Sequence, residues 1–202
     1  MPRRLPQNRS VKGSDKVARK ALSAAGSQSV VLPAQEVASG IVAQLAAEVL
    51  TLKERIESID EEIGERFFAR PEARILASLP GMGPILGAEF LVCVGDILAF
   101  ESADRLAAYA GLVPAARDSG KRVGNRRRMR GGHKALKRIF YQSAFASLRG
   151  CAQSRAFYDR KRAEGKGHTQ AVVALARRRV NVVWAMLRDG TEFEALCGLT
   201  FS

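Results

Sequence analysis

Apolar residues recur at alternating steps of three and four between Val42 and Ile63: Val42, Leu45, Val49, Leu52, Ile56, Ile59 and Ile63. That spacing is an a/d heptad stripe over about three heptads, coated by Lys, Arg and Glu. It predicts one long helix within residues 34–70, roughly 45–50 Å in length at 1.5 Å per residue. A stripe so narrow buries poorly on a globular core and well against another helix. The expected use is a coiled-coil or helical-hairpin arm that forms a homo-oligomer through residues 38–63, with packing back onto the same chain as the alternative. Pro71 ends the helix, because the residue before a proline is pushed out of the α region.

Downstream, helical periods follow one another as far as residue 190. A short apolar helix, Arg74 to Leu79, stops at Pro80. Gly81-Met82-Gly83 then leads into a helix of small and apolar residues, Ile85 to Val94. Short helix, Gly-hydrophobic-Gly turn, second helix resembles a helix-hairpin-helix element. Glycines let a backbone approach a phosphate, and a helix start faces it with the positive dipole end. A plain helix connector explains Gly81 and Gly83 equally well. The next helix runs from Ala103 to about Ala110, with Ser102 as N-cap, Gly111 as the terminating glycine and Pro114 blocking a restart. A polar loop fills 115–132. Beyond it, Leu136, Ile139, Phe140, Ala144 and Leu148 give one face of a helix from about His133 to Leu148. A short helix carries Phe157 and Tyr158, and Gly165-Lys166-Gly167 breaks it. A last helix, about Thr169 to Arg188, has the stripe Val172, Leu175, Ala176, Val180, Val183 and Leu187 joined by Trp184, which reads as core. Arg177 and Arg178 fall off that stripe and extend the basic surface. Residues 1–33 lack an apolar period and read as a basic, mostly disordered arm, and 191–202 as a loose tail. The expected fold is all-α, with a long coiled-coil helix ahead of a helical domain at 74–190 and at most a short hairpin near Lys121 to Arg128.

Charge changes the picture from fold to partner. The 202 residues carry a formal net charge of +13, which points to a polyanion, most simply DNA. From Arg117 to Arg149 there are eleven basic residues against one acidic, Asp118. That excess favours a backbone-contacting surface made by Arg117, Lys121, Arg122, Arg126, Arg127, Arg128, Arg130, Lys134, Lys137 and Arg138 over a merely solvated face. No apolar run of about 18 residues and no signal-peptide pattern occurs, so a membrane role is not expected and a bacterial cytoplasmic, nucleoid-associated location is. Cys93, Cys151 and Cys197 form neither a disulfide framework nor, with His133 and His168, a zinc spacing, so no metal site is expected in this chain.

Ser119 is the one candidate nucleophile. It sits in a glycine-containing loop flanked by cations that could hold a phosphodiester and stabilise charge on its oxygens. Attack on DNA phosphorus would give a phosphoserine link that conserves bond energy for rejoining. No base stands beside it in sequence, so a plain turn residue fits the same pattern. The acids Glu54, Glu57, Asp60, Glu61, Glu62 and Glu65 coat the heptad helix and do not suggest a converging metal site.

An ordered set of segments resembles a known family. The set is Leu79-Pro80-Gly81-Met82-Gly83-Pro84, Phe100, Leu106 through Pro114, Ser119-Gly120-Lys121, Arg130 through Lys137, Phe157 through Lys166, and Trp184-Ala185-Met186-Leu187. Together these are similar to the C-terminal domain of the Piv-type DEDD transposases of bacterial insertion sequences. The resemblance implies a recombinase that cuts and rejoins DNA, guided in some members by a structured RNA, with the serine at position 119 as the covalent nucleophile. It also implies an N-terminal RNase-H-like domain whose four acids hold Mg²⁺. Nothing upstream of Ala34 supplies those acids, so the expectation is a truncated element or one half of a split gene, with no cofactor bound by this chain itself. The alternative is a non-catalytic, basic, dimeric nucleic-acid-binding module or a transposon remnant.

Overall fold

A computed structural model describes residues 14–27, 34–116, 126–128 and 131–194. The chain divides into two compact units, Met1–Arg55 and Ile56–Ser202.

The first unit contains α1 (Ser14–Gly26) and the greater part of α2 (Gln35–Phe68). α1 differs from the expectation of a mostly disordered arm. Val17, Ala18, Ala21, Leu22 and Ala25 recur at steps of three and four, and the local propensity of Ala, Lys, Arg and Leu for helix adds to that short period. α2 is the long helix that the heptad pattern predicts, 34 residues without a break. Glu62 and Arg66 pair across one of its turns at 2.6 Å. Its seam is exposed from Val42 to Ile59.

The second unit is a helical bundle. Its elements are α3 (Glu72–Ser78), α4 (Pro84–Val94), a 3₁₀ turn (Ile97–Ala99), α5 (Ala103–Tyr109), β1 (Pro114–Ala116), β2 (Arg126–Arg128), α6 (Lys134–Ser147), α7 (Ala152–Ala163) and α8 (His168–Asp189). The two strands pair as a short antiparallel hairpin, and the other regular elements among the described residues are helical. α8 is the central element and packs on α3, α5, α6 and α7. Its buried stripe includes Val172, Leu175, Ala176, Val180 and Val183, as the periodicity predicts. Phe140 of α6 meets Phe90 of α4 edge to face, with ring centroids 5.7 Å apart. Each such ring contributes about 1.5–3 kcal/mol by leaving water. At the end of α2, Phe67 is buried against α4, where Gly87 leaves room for its ring. Trp184 donates its indole N–H to the Phe100 carbonyl at 3.1 Å, which fixes it as a core residue. The C-terminal segment is tied down further than a loose tail from 191 would allow: the Phe193 N–H donates to Ser78 Oγ at 2.7 Å.

One buried cation joins three distant parts of this unit. Arg179 on α8 is 4% exposed. Its Nη2 donates to Ser143 Oγ of α6 at 2.7 Å and to the Pro80 carbonyl at 2.5 Å. Its Nε donates to the same hydroxyl at 3.1 Å. Among the described residues no carboxylate pairs with it, and burial pushes its guanidinium down to about 10. The turn that Arg179 holds is pressed onto α6. Gly81 has φ +82°, and a Cβ there would lie 2.5 Å from the Ser143 carbonyl oxygen and 2.9 Å from the Ser147 nitrogen. Gly83 faces open space.

Gly81→Ala therefore combines a left-handed backbone with a backbone clash. It is expected to destabilise the fold by roughly 2–4 kcal/mol, whereas Gly83→Ala changes stability by less than about 1 kcal/mol. Urea unfolding followed by circular dichroism reads both, and equal losses would show that the turn is not packed on α6.

Candidate nucleic-acid interface

The hairpin springs from a tight junction between α5 and α6. α5 ends in a Schellman arrangement: the Gly111 N–H donates to Ala108 O at 3.0 Å and the Leu112 N–H to Ala107 O at 2.9 Å. Gly111 has φ +66° and Gly132 φ +95°, and the two backbones lie against each other. A Cβ on Gly132 would stand 2.5 Å from Gly111 Cα, and one on Gly111 would stand 2.4 Å from the Gly131 carbonyl oxygen. The His133 N–H donates to Tyr109 O at 2.7 Å and closes the junction. His133 then caps α6, its Nδ1 accepting the Leu136 N–H at 3.3 Å, with its ring 5.4 Å from that of Tyr109. From this base Pro114 pairs with Arg128, Ala115 with Arg127 and Ala116 with Arg126. β2 thus consists of three consecutive arginines.

The residues expected to form the site divide into three groups. Ser119, Arg117, Lys121, Arg122 and Arg130 lie outside the described residues. Arg126, Arg127 and Arg128 are placed on β2 by their backbone. Lys134, Lys137 and Arg138 lie on the first turns of α6. There, with Leu112, Tyr141, Thr169 and Val173, they line a cleft of about 360 Å³. Lys134 is exposed, while Arg138 is paired with Glu89 of α4. Gly81 and Gly83 sit at the opposite ends of the α3–α4 turn, Gly81 against α6 and Gly83 as the N-cap of α4 with no side-chain cap.

Several C-terminal cations are already engaged. Arg177 pairs with Asp104 of α5, so it is less available to extend a basic surface than its place off the apolar stripe suggests. Arg178, Arg160 and Lys161 surround the Phe157 ring at 5.2–5.5 Å. Arg155 pairs with Asp159 at 3.0 Å. Hydrogen bonds from Lys161 and Lys166 hold the Glu164 carboxyl down to about 2, so it stays ionised opposite both lysines. Sequence reasoning passed over Tyr141, Thr169 and Arg179. For Arg179 a signal existed, because it falls between Leu175 and Val183 within the apolar stripe of α8.

Residues 73–159, which run from α3 across the hairpin and α6 to α7, match the family model of the transposase IS116/IS110/IS902 family. These residues are thus similar to the transposase domain of that family. The chain is 52% identical over 184 residues to the insertion element IS900 uncharacterized 42 kDa protein of Mycobacterium paratuberculosis, covering 91% of this chain and 46% of that protein. It is 49% identical over 181 residues to the insertion element IS116 uncharacterized 44.8 kDa protein of Streptomyces clavuligerus, 90% of this chain and 45% of that protein. It is 29% identical over 145 residues to the pilin gene-inverting protein of Moraxella bovis, 69% of this chain and 45% of that protein. The chain thus spans less than half the length of these relatives. No described helix is long and apolar enough to cross a membrane. Mg²⁺, which the family resemblance implies, finds no fitting donor set here: among the described residues no three His, Cys, Asp or Glu side chains converge.

The junction makes its own prediction. His133→Ala removes the α6 cap and is expected to lower stability by about 1 kcal/mol. Gly132→Ala forces a Cβ into the Gly111 backbone and is expected to lower it by roughly 2–4 kcal/mol. Thermal unfolding of both variants checks the order, and a neutral Gly132→Ala would mean that the strands are not rooted at this contact.

Proposed function

We propose that the chain is the DNA-binding and serine-bearing part of a bacterial insertion-sequence recombinase, with Ser119 as the nucleophile. The observation that carries this reading is the hairpin. It lies inside the matched transposase domain, one of its strands is Arg126-Arg127-Arg128, and the residues joining its strands include Ser119. Arg117, Lys121, Arg122 and Arg126 to Arg128 hold the phosphates around the scissile bond. Ser119 Oγ bonds to phosphorus, the bond from phosphorus to one deoxyribose oxygen breaks, and that oxygen leaves as a hydroxyl. The reverse attack by a hydroxyl of the second DNA partner reseals the strand and frees the serine, so no external energy source is needed. His133 spends Nδ1 on the α6 cap and is not assigned as the base.

Arg130, Lys134 and Lys137, with Arg138 exchanging Glu89 for phosphate and the α3–turn–α4 helix-hairpin-helix at Gly81 and Gly83, follow the DNA backbone on either side. The four acids that the family resemblance implies come from an RNase-H-like domain working with this one, and no step is assigned to their metal here. A structured guide RNA selects the DNA, two copies of the chain meet through residues 38–63, and the complex works on the bacterial chromosome in the cytoplasm.

Covalent trapping tests the reading. The chain is incubated with labelled DNA, the RNA and Mg²⁺, with and without a DEDD domain from the same locus, and run on a denaturing gel. A DNA adduct is expected that disappears in Ser119→Ala while salt-sensitive DNA affinity stays within about twofold. Salt-sensitive binding with no adduct in either mixture would overturn the catalytic reading in favour of a non-catalytic binding module or a remnant.

A further inference from the structure

α2 is the largest apolar feature outside the core. Val42, Leu45, Val49, Leu52, Ile56 and Ile59 are 47–65% exposed along one helix face. We propose that this face pairs with α2 of a second copy of the chain as a parallel, in-register, two-stranded coiled coil. The inference rests on the dimer of the proposed function and adds its orientation and register.

Two independent features of the helix fix the partner. The first is the shape of the seam residues. The a positions are Val42, Val49, Ile56 and Ile63, all β-branched, and the d positions are Leu45, Leu52 and Ile59. β-Branched a residues with leucine at d suit the knobs-into-holes geometry of a parallel dimer. No polar residue interrupts the seam between Val42 and Ile63.

The second is charge beside the seam. In a parallel dimer each g residue meets the e residue five positions on in the partner helix. Here Glu48 meets Lys53 and Arg55 meets Asp60, each pair occurring twice by symmetry, and Ile41 meets Ala46. All three contacts are favourable. Antiparallel packing matches g with g and e with e instead. Pairing Val49 with Ile59 and Ile56 with Leu52 sets Glu48 against Glu62, and Arg55 and Lys53 each against themselves. Pairing Val42 with Ile59 and Val49 with Leu52 keeps one attraction, Glu48 with Arg55, and leaves Ile63 beyond the leucines and Lys53 opposite Ala46. Pairing Ile56 with Ile59 and Leu52 with Ile63 sets Arg55 against Glu62 and Lys53 against Asp60, but leaves Val42 and Leu45 outside the contact and Glu48 without a cation. The parallel arrangement alone keeps the whole seam from Val42 to Ile63 in contact and satisfies Glu48, Lys53, Arg55 and Asp60 together.

The orientation has a consequence for the reaction. In a parallel pair both α2 helices end on the same side, and each continues through Pro71 into its own transposase domain. Two serine-bearing domains are then delivered to one stretch of DNA. Antiparallel pairing would set the two helix ends apart by roughly the length of the seam, about 30 Å for the 22 residues from Val42 to Ile63.

The test uses the full chain and sedimentation equilibrium. Glu48→Lys and Lys53→Glu are each expected to weaken the dimer roughly tenfold, and the double exchange to restore it to within about twofold. These exposed positions lie outside the core, and unchanged helicity confirms that each variant folds. Mild oxidation of Val42→Cys, compared with the unsubstituted chain, should link like to like. A dimer rescued by Arg55→Glu in the Glu48→Lys background, or Val42→Cys linking only to an Ile59→Cys chain, would overturn the parallel register and leave the dimer standing. Trimers or larger species would overturn the two-stranded assignment. A chain that stays monomeric at every concentration would overturn both orientation and dimer.

Discussion

The helical unit is organised around a positive charge buried with no carboxylate partner among the described residues. Arg179 has given up water for one hydroxyl and one carbonyl, and those two acceptors sit on α6 and on the turn between α3 and α4. A planar guanidinium spans the two in a way that a lysine ammonium would not. Removing it would leave Ser143 and Pro80 with unpaired acceptors in the core. The same contact presses Gly81 onto α6, where no side chain fits. α8 is thereby locked to α6, and α6 is the element from which the basic surface starts.

That lock matters because the arginine-bearing hairpin has little core of its own. Two three-residue strands cannot hold themselves in water. They depend on the Gly111–Gly132 contact, the His133 cap and the aromatic run Phe100, Tyr109 and His133. Charge is distributed accordingly. Cations beyond residue 150 are largely spoken for by Asp104, Asp159, Glu164 and Phe157. Those between Arg117 and Lys137 face one acid in the sequence.

Much of this was legible in the sequence, since periodicity reports buried faces directly. The stripes of α6 and α8, the Ser102 cap and the Gly111 stop follow from spacing and turn chemistry alone. α1 was missed because its apolar period is short and set among Lys, Arg and Ser, and residues 191–194 because Phe193 packs on the core and bonds to Ser78 without any period around it. The close packing of Gly81 on α6 was hidden, because a glycine that admits a ligand and one that admits a neighbouring helix look alike in sequence. Arg179 was overlooked since a basic residue inside an apolar stripe is read by type before position. Ser119 lies outside the described residues, and its proposed role rests on the family resemblance rather than on any base beside it in sequence.

In the proposed function the hairpin arginines bind DNA phosphates. Salt dependence of DNA affinity measures this most directly, because each phosphate contact releases counterion with a slope of about 0.9. Changing Arg126, Arg127 and Arg128 together to Gln should flatten the plot of log affinity against log salt by roughly two to three units. Changing Arg155, which is paired with Asp159, should leave the slope as it is. An unchanged slope in the triple variant would contradict the account, because the phosphates would then be held elsewhere on the molecule.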